Sequence, residues 1–255
     1  MTDALGSSGA SRAEVCAVAV AEAFRGDGEI VASVFGFVPS VGGRLAKLTF
    51  SPDLLMSDGQ AWSVLDPWSR TPTVEGNLSF RTVFDVVASG KRHVMMQANQ
   101  IGRWGDQNLN AIGDHNRPAR QLLGMRGAPG NTVNHTTSYW ISRHSARVFT
   151  EPVDTVSGVG YQRAAGAGAA ATRFHEIRHV ITDLGVFDFE TPDHSMRIRS
   201  VHPWSSVDAI VAATGFDLVV PDGVPTSRVP TDEELHLIRE VLDPKSLRDR
   251  EIAPA

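Results

Sequence analysis

The spacing of apolar residues changes along the first part of the chain from a helical period to runs typical of strands. Residues 13–24 place apolar side chains at helical spacing behind Ser11, a residue suited to cap a helix. Residues 29–35 are rich in apolar and β-branched side chains, which predicts a buried strand. A short helix ending near Lys47 and a short strand over residues 54–56 follow. We therefore expect an α/β fold, a mostly parallel open sheet covered by helices.

The remainder of the chain carries more strand patterns than helical ones. Helices are predicted over residues 206–215 and from residue 231 to about 242, the second opened by a capping box of Thr231 and Glu234. Residues 131–136 could open another helix. The Ala/Gly-rich residues 162–172 offer little to pack and predict a flexible or surface link. Strands are predicted over residues 92–97, 119–123, 140–150, 153–156, 179–183, 185–189, 196–202 and 217–220.

The chain shows no internal repeat and no break in composition that would divide it. Residues 13–247 are therefore predicted to form a single α/β domain. Residues 1–12 are mostly small and polar and are predicted to form a flexible N-terminus. Residues 248–255 are predicted to form a loose C-terminal tail.

Composition and charge exclude several classes of function. The 255 residues carry a formal net charge of −5, so we expect neither nucleic-acid binding nor binding to an anionic membrane. No apolar run reaches the length that spans a bilayer. Cys16 is the only cysteine, which rules out an internal disulfide and fits a reducing cytoplasm. The nine histidines lack a metal-ligand spacing, so no metal site is predicted.

Residues 124–131, which we call the glycine loop, are the principal candidate site. Three glycines and a proline follow the predicted strand 119–123, and Arg126 lies among them. Backbone N–H groups in such a loop can point at an oxyanion, and arginine adds a permanent cation with a planar fork of donors. A tight surface turn is the alternative interpretation. The triplet Ser57, Asp58 and Gly59 also follows a predicted strand, so both segments are expected at the carboxyl edge of the sheet, where ligands bind.

Several segments taken together resemble the β subunits of family I CoA-transferases. Residues 46–56 resemble the strand that leads to the family's active-site loop, and residues 105–108 resemble its Gly-Asn-x-Asn turn. The glycine loop resembles the family's Gly-x-Gly-Gly segment. The C-terminal half matches through residues 182–187, 202–203 and 214–217. Their order and spacing extend the resemblance over nearly the whole chain and imply a CoA-transferase-like fold.

Two positions depart from the family pattern. The transferases carry a catalytic glutamate in a Glu-Asn-Gly triplet, which forms a thioester with CoA, and Ser57 occupies that position here. Arg126 stands where the family has a glycine. Both departures resemble one branch, the actinobacterial hydrolases that open rings of steroid-derived CoA thioesters. The resemblance implies an αβ pair, usually doubled to α2β2, in which the α subunit supplies the acid/base glutamate.

The resemblance and the residue chemistry together imply a hydrolytic ring opening. The partner's glutamate activates water, which attacks a ring ketone, and a carbon–carbon bond breaks in a retro-Claisen sense. Arg126, with the N–H groups of Gly127 and Ala128, is the candidate to stabilise the developing negative charge or to bind a substrate carboxylate. CoA is part of the substrate, and no separate cofactor is expected. The candidate substrate-binding residues are Ser57, Asp58, Gly59, Asn99, Gln100, Asn108, Gly124, Gly127, Ala128, Gly130 and Asn131.

Other interpretations stay open on the sequence alone. The chain could be a CoA-transferase subunit that moves CoA between carboxylic acids, or a non-catalytic subunit that binds CoA or serves as a scaffold. Arg126 could form a salt bridge with the α subunit. Ser57 and Asp58 could simply form a turn. The polar side chains of Asn99, Gln100 and Asn108 could serve structural hydrogen bonding.

Overall fold

A six-stranded sheet forms the centre of the molecule. The computed structural model describes residues 9–56, 62–66, 68–69, 71–77, 79, 81–82, 85, 89–90 and 92–252. In chain order the described strands are β1 (Val31–Val34), β2 (Trp62–Val64), β3 (Val74–Asn77), β4 (Arg92–Gln97), β5 (Gln100–Ile101), β6 (Gln107–Asn108), β7 (Ala111–Ile112), β8 (Arg120–Gln121), β9 (Thr136–Ile141), β10 (Glu176–Thr182), β11 (Gly185–Asp188) and β12 (Arg197–Val201). The central sheet has the order β1-β4-β9-β10-β11-β12, and the other strands pair in twos.

Helices pack on both faces of this sheet. They are α1 (Arg12–Ala23), α2 (Phe37–Leu48), α3 (Ala128–Asn134), α4 (Tyr161–Ala167), α5 (Ala169–Thr172), α6 (Val207–Ala212) and α7 (Asp232–His236). A π-helical turn, Leu237–Leu242, and a 3-10 turn, Leu247–Arg250, complete the C-terminal part. Within the described ranges, none of the helices combines the length and the apolar character needed to cross a bilayer.

The first four strands of the sheet run parallel. β1, β4, β9 and β10 are parallel neighbours, whereas β11 and β12 continue the sheet in antiparallel fashion. Leu55 extends the sheet beyond β1: its N–H donates to Ile30 and its carbonyl accepts from Ala32, both at 2.9 Å. The predicted mostly parallel sheet covered by helices is thus confirmed, and the predicted strand over residues 54–56 is present as a single parallel bridge to Val31.

Alternating side chains divide the apolar core between the two faces. Along β9, Tyr139 and Trp140 are both nearly fully buried, but they belong to different clusters because successive strand residues face opposite ways. Trp140 packs in the cluster with α1 and α2, which includes Phe24 and Leu45. Tyr139 packs in the cluster on the other face, with Phe149 among others.

Side-chain caps begin two of the helices where the sequence predicts them. The Ser11 hydroxyl accepts from the Glu14 N–H at 3.3 Å, and the Glu14 carboxylate accepts from the Ser11 N–H at 2.8 Å. Thr231 and Glu234 form the same reciprocal pair at 3.2 and 2.8 Å. Each pair satisfies two N–H groups that a helix start otherwise leaves without partners, so both predicted starts are confirmed.

α1 and α2 approach each other closely through a glycine. A methyl group added at Gly42 would lie 2.5 Å from Val20 Cγ1 and 2.6 Å from the Ala17 carbonyl oxygen. The contact therefore requires a residue without a side chain. This explains why a glycine, which otherwise weakens a helix, stands at position 42. This contact fixes α2 and the β1–α2 turn against the sheet.

Several predicted strands are wrong in position or type. The strand predicted over residues 140–150 lies earlier, at Thr136–Ile141, because a turn follows in which Val148 and Phe149 donate to the Ser145 carbonyl. The strand predicted over residues 119–123 is shorter, at Arg120–Gln121, although the N–H groups of Ala119 and Leu122 continue its pairing at 2.9 Å. Residues 153–156 form no strand, and residues 217–220 contribute only a bridge between Val219 and Arg197.

The predicted flexible link over residues 162–172 is also corrected. It forms α4 and α5, separated by Gly168, which has a φ of 90°. Alanine favours helix, and Tyr161 anchors the first helix by donating its hydroxyl to the Ile177 carbonyl at 3.0 Å. Alanine content and one aromatic anchor therefore stabilise a helix here, although the apolar pattern of the segment is weak.

The C-terminal residues up to Ile252 are packed rather than loose. Arg248 is 4% exposed, and it donates to Glu14 of α1 at 2.8 Å and to Asp243 at 3.0 Å. Ile252 is buried in the cluster of α1 and α2. The predicted loose tail over residues 248–255 is thus corrected for residues 248–252, because charges that look solvent-exposed in sequence find buried partners at the opposite end of the chain.

Candidate functional site

The glycine loop is tied to the carboxyl end of β4 by backbone hydrogen bonds. Asn99, two residues beyond β4, donates its N–H to the Asn108 carbonyl at 2.9 Å. The next residue along, Leu109, accepts at 3.1 Å from the N–H of Gly124, which opens the glycine loop. The loop therefore lies at the edge of the sheet where ligands bind in open α/β folds.

The segment that leads to Ser57 starts beside the first residue of β1 and runs toward the same edge. Leu55 runs parallel to β1, so the chain leaves this bridge in the direction of the carboxyl ends of the strands. The predicted substrate-binding triplet Ser57, Asp58 and Gly59 lies outside the described residues. Its role stays a prediction.

A tight turn shapes the glycine loop. Gly124 has a φ of 86° and Arg126 a φ of 52°, a left-handed conformation that non-glycine residues seldom adopt. The Ala128 N–H donates to the Met125 carbonyl at 3.1 Å and closes the turn. This N–H group is therefore already used, which corrects its predicted role as an oxyanion donor, while Gly127 starts α3 without a side-chain cap.

Arg126 is the exposed cation of this loop. Its side chain forms no hydrogen bond or ion pair with any described residue, and its two apolar neighbours, Leu123 and Met125, are 67% and 37% exposed. Gly130 is also exposed and open. An unpaired guanidinium among exposed apolar side chains can bind an anionic or electron-rich group carried by an apolar body.

Asn131 has a structural task within α3. It is 6% exposed, its amide oxygen accepts a short hydrogen bond from Arg92, and its amide nitrogen lies 3.2 Å from the Met96 sulfur. Burial lowers the pKa of Arg92 from its usual value. These contacts hold α3 against β4 and thereby fix the start of the helix next to Arg126.

Gln100 and Asn108 belong to a buried network. Asn108 donates to Gln100 and to the Ala111 carbonyl, both at 2.7 Å, and its oxygen accepts from the N–H groups of Asn110 and Ala111. Gln100 donates to Asp154 at 3.1 Å and accepts from the Asp154 N–H at 2.9 Å. These contacts favour the structural interpretation for both side chains. The side chain of Asn99 is exposed and forms no hydrogen bond with a described residue.

Glu251 is a component of this edge that the sequence did not indicate. Its carboxylate accepts from the N–H groups of Phe37 at 2.8 Å and Val38 at 3.0 Å, at the start of α2, and from the indole of Trp140 at 3.1 Å. The helix start beyond β1, a natural anion site, is therefore occupied by the chain's own carboxylate. Phe35 and Phe37 beside it are 53% and 42% exposed.

The two histidines next to the β-rich segment are buried. His144 stacks on Phe149 with ring centroids 3.7 Å apart and contacts the hydroxyls of Thr182 and Thr214 at 3.3 and 2.9 Å. Burial lowers its pKa to about 3. Burial, followed by the charge of Arg92, lowers the pKa of His135 to about 4. In the described part of the chain no three His, Cys, Asp or Glu side chains gather as metal ligands would.

Comparison with known proteins places this chain beside one kind of hydrolase subunit. It is 52% identical over 246 residues to the cholesterol ring-cleaving hydrolase IpdB subunit of Rhodococcus jostii. The aligned residues cover 95% of this chain and 96% of that protein. In the crystal structure of Rhodococcus jostii IpdAB, one chain matches with a TM-score of 0.92 and 51% identity, covering 96% of this chain and 99% of that chain. No family model matches the sequence.

A more distant relative carries the CoA-transferase resemblance. A glutaconate CoA-transferase chain of Acidaminococcus fermentans is 25% identical over 249 residues, which is 91% of this chain and 92% of that protein. Both predicted resemblances, to family I CoA-transferase β subunits and to the steroid-ring-opening branch, are confirmed. The chain belongs to the family of cholesterol ring-cleaving hydrolase IpdB subunits.

Proposed function

We propose that this chain is the β subunit of a heteromeric hydrolase that opens a ring of a steroid-derived CoA thioester formed in cholesterol catabolism. The identity of 52% to an IpdB subunit over nearly the whole of both chains supports this function. The solved relative IpdAB contains two kinds of subunit, which supports an α partner for this chain. We place the acid/base glutamate on that partner and propose an α2β2 assembly in the cytoplasm, with CoA as part of the substrate.

The proposed reaction consumes one water molecule. The partner's glutamate takes a proton from water, and the hydroxide adds to the carbon of a ring ketone. The bond from this carbon to its ring neighbour then breaks, and its electron pair passes to the neighbour as an enolate that is protonated in turn. The former ketone carbon becomes a carboxylic acid that retains one oxygen atom from water. No acyl group is attached to this chain at any step.

Arg126 is the residue of this subunit to which we assign a role in the reaction. It is a cation without an ion-pair partner among the described residues, on a loop held at the carboxyl edge of the sheet, with exposed Leu123 and Met125 beside it to receive an apolar ring. A guanidinium at this place would stabilise charge on the attacked oxygen, a contribution on the order of 3 kcal/mol for a well-placed donor. A bidentate contact to a substrate carboxylate would use the same geometry.

Replacement of Arg126 in the assembled complex tests this role. We expect Arg126→Met to lower kcat/KM on the ring-ketone CoA thioester about a hundredfold, and Arg126→Lys to have a smaller effect because it keeps the charge but loses the fork. Arg120→Met, at an exposed arginine on β8, is the matched control and should leave kcat/KM unchanged. Full activity of Arg126→Met would contradict the role.

Isotope and trapping experiments separate hydrolysis from CoA transfer. In water enriched in oxygen-18, we expect one labelled oxygen in the new carboxylate of the product. Hydroxylamine or borohydride added during turnover should leave this chain unmodified, because position 57 offers serine in place of the transferase glutamate. A trapped glutamyl adduct on this chain would instead indicate a CoA-transferase. Ring opening by the α subunit alone would indicate a scaffolding role.

A further inference from the structure

A cavity of about 510 Å³ lies beside the C-terminal half of α1, and we call it the α1 cavity. α1 runs antiparallel to β10. Cys16 lies 3.7 Å from the carbonyl of Thr182 at the end of β10, whereas the Ala23 carbonyl accepts from Arg178 near its beginning. The α1 cavity, which Ala23 and Arg178 line, therefore lies on the α1 face of the sheet and reaches the amino end of β10, whereas the glycine loop is tied to the carboxyl end of β4.

Cationic side chains outnumber the carboxylates that line the α1 cavity. The two acids, Glu22 and Asp27, are both paired. Glu22 accepts from Arg25 at 2.7 Å and from Arg228 at 2.6 Å, and Asp27 accepts from His93 at 2.7 Å and from Arg178. Burial alone would raise the pKa of Asp27, but the hydrogen bonds from His93 and Arg178 outweigh burial and hold it below the usual value. Neither carboxylate is therefore left to repel an incoming anion strongly.

Arg199 differs from the other arginines of the α1 cavity. Its nearest carboxylate oxygens, on Asp188 and Glu190, are 3.5 and 3.6 Å away, and it forms no hydrogen bond with a described residue. Asp188 already accepts two hydrogen bonds from Arg197, both at 2.8 Å. Arg199 thus forms two long ion pairs through Nη1 only, donates no hydrogen bond to a described residue, and lines the cavity with half of its side chain exposed.

Two serines and a histidine supply further donors in the same cavity. The hydroxyls of Ser200 and Ser227 lie 2.7 Å apart. Because one hydrogen bond uses only one of their two hydrogens, the other O–H can donate to a ligand. The ring of His179 lines the same cavity and forms no hydrogen bond with a described residue. A neutral imidazole carries one N–H donor, which it can offer to a ligand.

We propose that the α1 cavity binds a small organic anion whose phosphate or carboxylate group is held by Arg199, His179 and the Ser200–Ser227 pair. A forked guanidinium and hydroxyl donors match the geometry of such oxyanions. Val18, Ala19 and Val186 line the same cavity and receive the apolar body of the ligand. The volume is within the range of small-molecule sites, and it exceeds that of a free phosphate ion several-fold. The site does not depend on the ring-opening function.

Calorimetric titration of the full-length chain, assembled with its α subunit, tests this site. The probes are phenyl phosphate and benzoate, with inorganic phosphate and phenol as the separate head group and body. We expect phenyl phosphate or benzoate to bind saturably at one site per chain, and more tightly than either separate part. Whichever of phenyl phosphate and benzoate binds more tightly shows whether the site prefers a phosphate or a carboxylate head group.

Variants of the lining residues localise the binding. Arg199→Met should weaken the binding of the better probe at least tenfold, and Ser227→Ala should weaken it several-fold. Arg147→Met, at an exposed arginine that does not line the cavity, should bind as the parent does. The kcat/KM of ring opening should be unchanged in Arg199→Met, which separates this site from the proposed catalysis. Absence of saturable binding of both anions, or undiminished binding in Arg199→Met, would overturn the proposal.

Discussion

Arg126 and Glu251 lie at the same edge of the sheet, yet Arg126 forms no ion pair with a described residue whereas Glu251 accepts three hydrogen bonds. The sequence indicates Arg126 because a cation among glycines is a local signal. It gives no indication of Glu251, since Phe37, Val38 and Trp140 are more than a hundred positions away. A candidate residue with a local signal could therefore be predicted from the sequence, whereas one with distant partners could be found only in the folded structure. The same limit applies to Gln100, whose partner Asp154 is 54 positions away in the chain.

At the residue scale, burial of His144 predicts a loss of stability in acid. Above about pH 6.5 its imidazole is neutral in both the folded and the unfolded chain, so it adds no pH dependence. Below that pH the unfolded chain binds a proton that the folded chain excludes, because burial lowers the folded pKa to about 3. We expect this histidine to cost about 2 kcal/mol of unfolding free energy between pH 7 and pH 5.

Urea unfolding of the full-length chain at pH 7 and pH 5 measures this effect. His144→Gln keeps a polar side chain at the site but cannot bind the proton, so its stability should fall less over this interval than that of the parent. Equal losses in the two proteins would show that His144 is protonated in the folded chain or that other groups dominate.

At the element scale, helices with local start signals were predicted well. Ser11 and the pair Thr231 and Glu234 specify their helices through contacts three residues apart, which a sequence displays directly. The strand β9 was misplaced because the prediction joined Trp140 and Ile141 to the apolar residues 148–150 across a turn, in which Asp183 accepts the His144 N–H at 2.7 Å. Sequence patterns therefore failed to locate the ends of secondary structure that distant partners specify.

Two glycines in helices are predicted to respond in opposite ways to the same substitution. Gly42→Ala places a methyl group 2.5 Å from Val20 and should destabilise the chain by about 1–3 kcal/mol, because the packed interface has to separate. Gly166→Ala in α4 meets no atom within 4 Å and should stabilise the chain by up to about 1 kcal/mol through helix propensity. Denaturant unfolding compares both variants with the parent. A neutral Gly42→Ala would contradict the close contact of α1 and α2.

At the scale of the whole molecule, the two ends of the chain are built into one structure. Arg248 and Arg239 both reach Glu14 in α1, and Glu251 caps α2 while it also holds Trp140 of β9. The mostly parallel sheet covered by helices follows from the alternating pattern of the first half, whereas its strand order does not. The C-terminal closure does not follow from that pattern, because it rests on charged residues whose partners lie at the other end of the sequence.

Removal of the Glu251 carboxylate is predicted to weaken this closure. Glu251→Ala leaves the N–H groups of Phe37 and Val38 and the Trp140 indole without their acceptor, so we expect a loss of about 2 kcal/mol in unfolding free energy. Glu240→Ala removes an exposed carboxylate nearby and should have little effect. Thermal unfolding of both variants and the parent measures the difference, and equal midpoints for Glu251→Ala and the parent would refute a stabilising role.

The Glu251 carboxylate also joins two parts of the sheet edge into one unit. Its two oxygens hold the start of α2 and the indole of Trp140 at the same time. Local opening of the turn at Glu251 would therefore release the N–H groups of Phe37 and Val38 together with that indole. The start of α2 and the turn at Glu251 are accordingly expected to exchange their amide hydrogens as one cooperative unit.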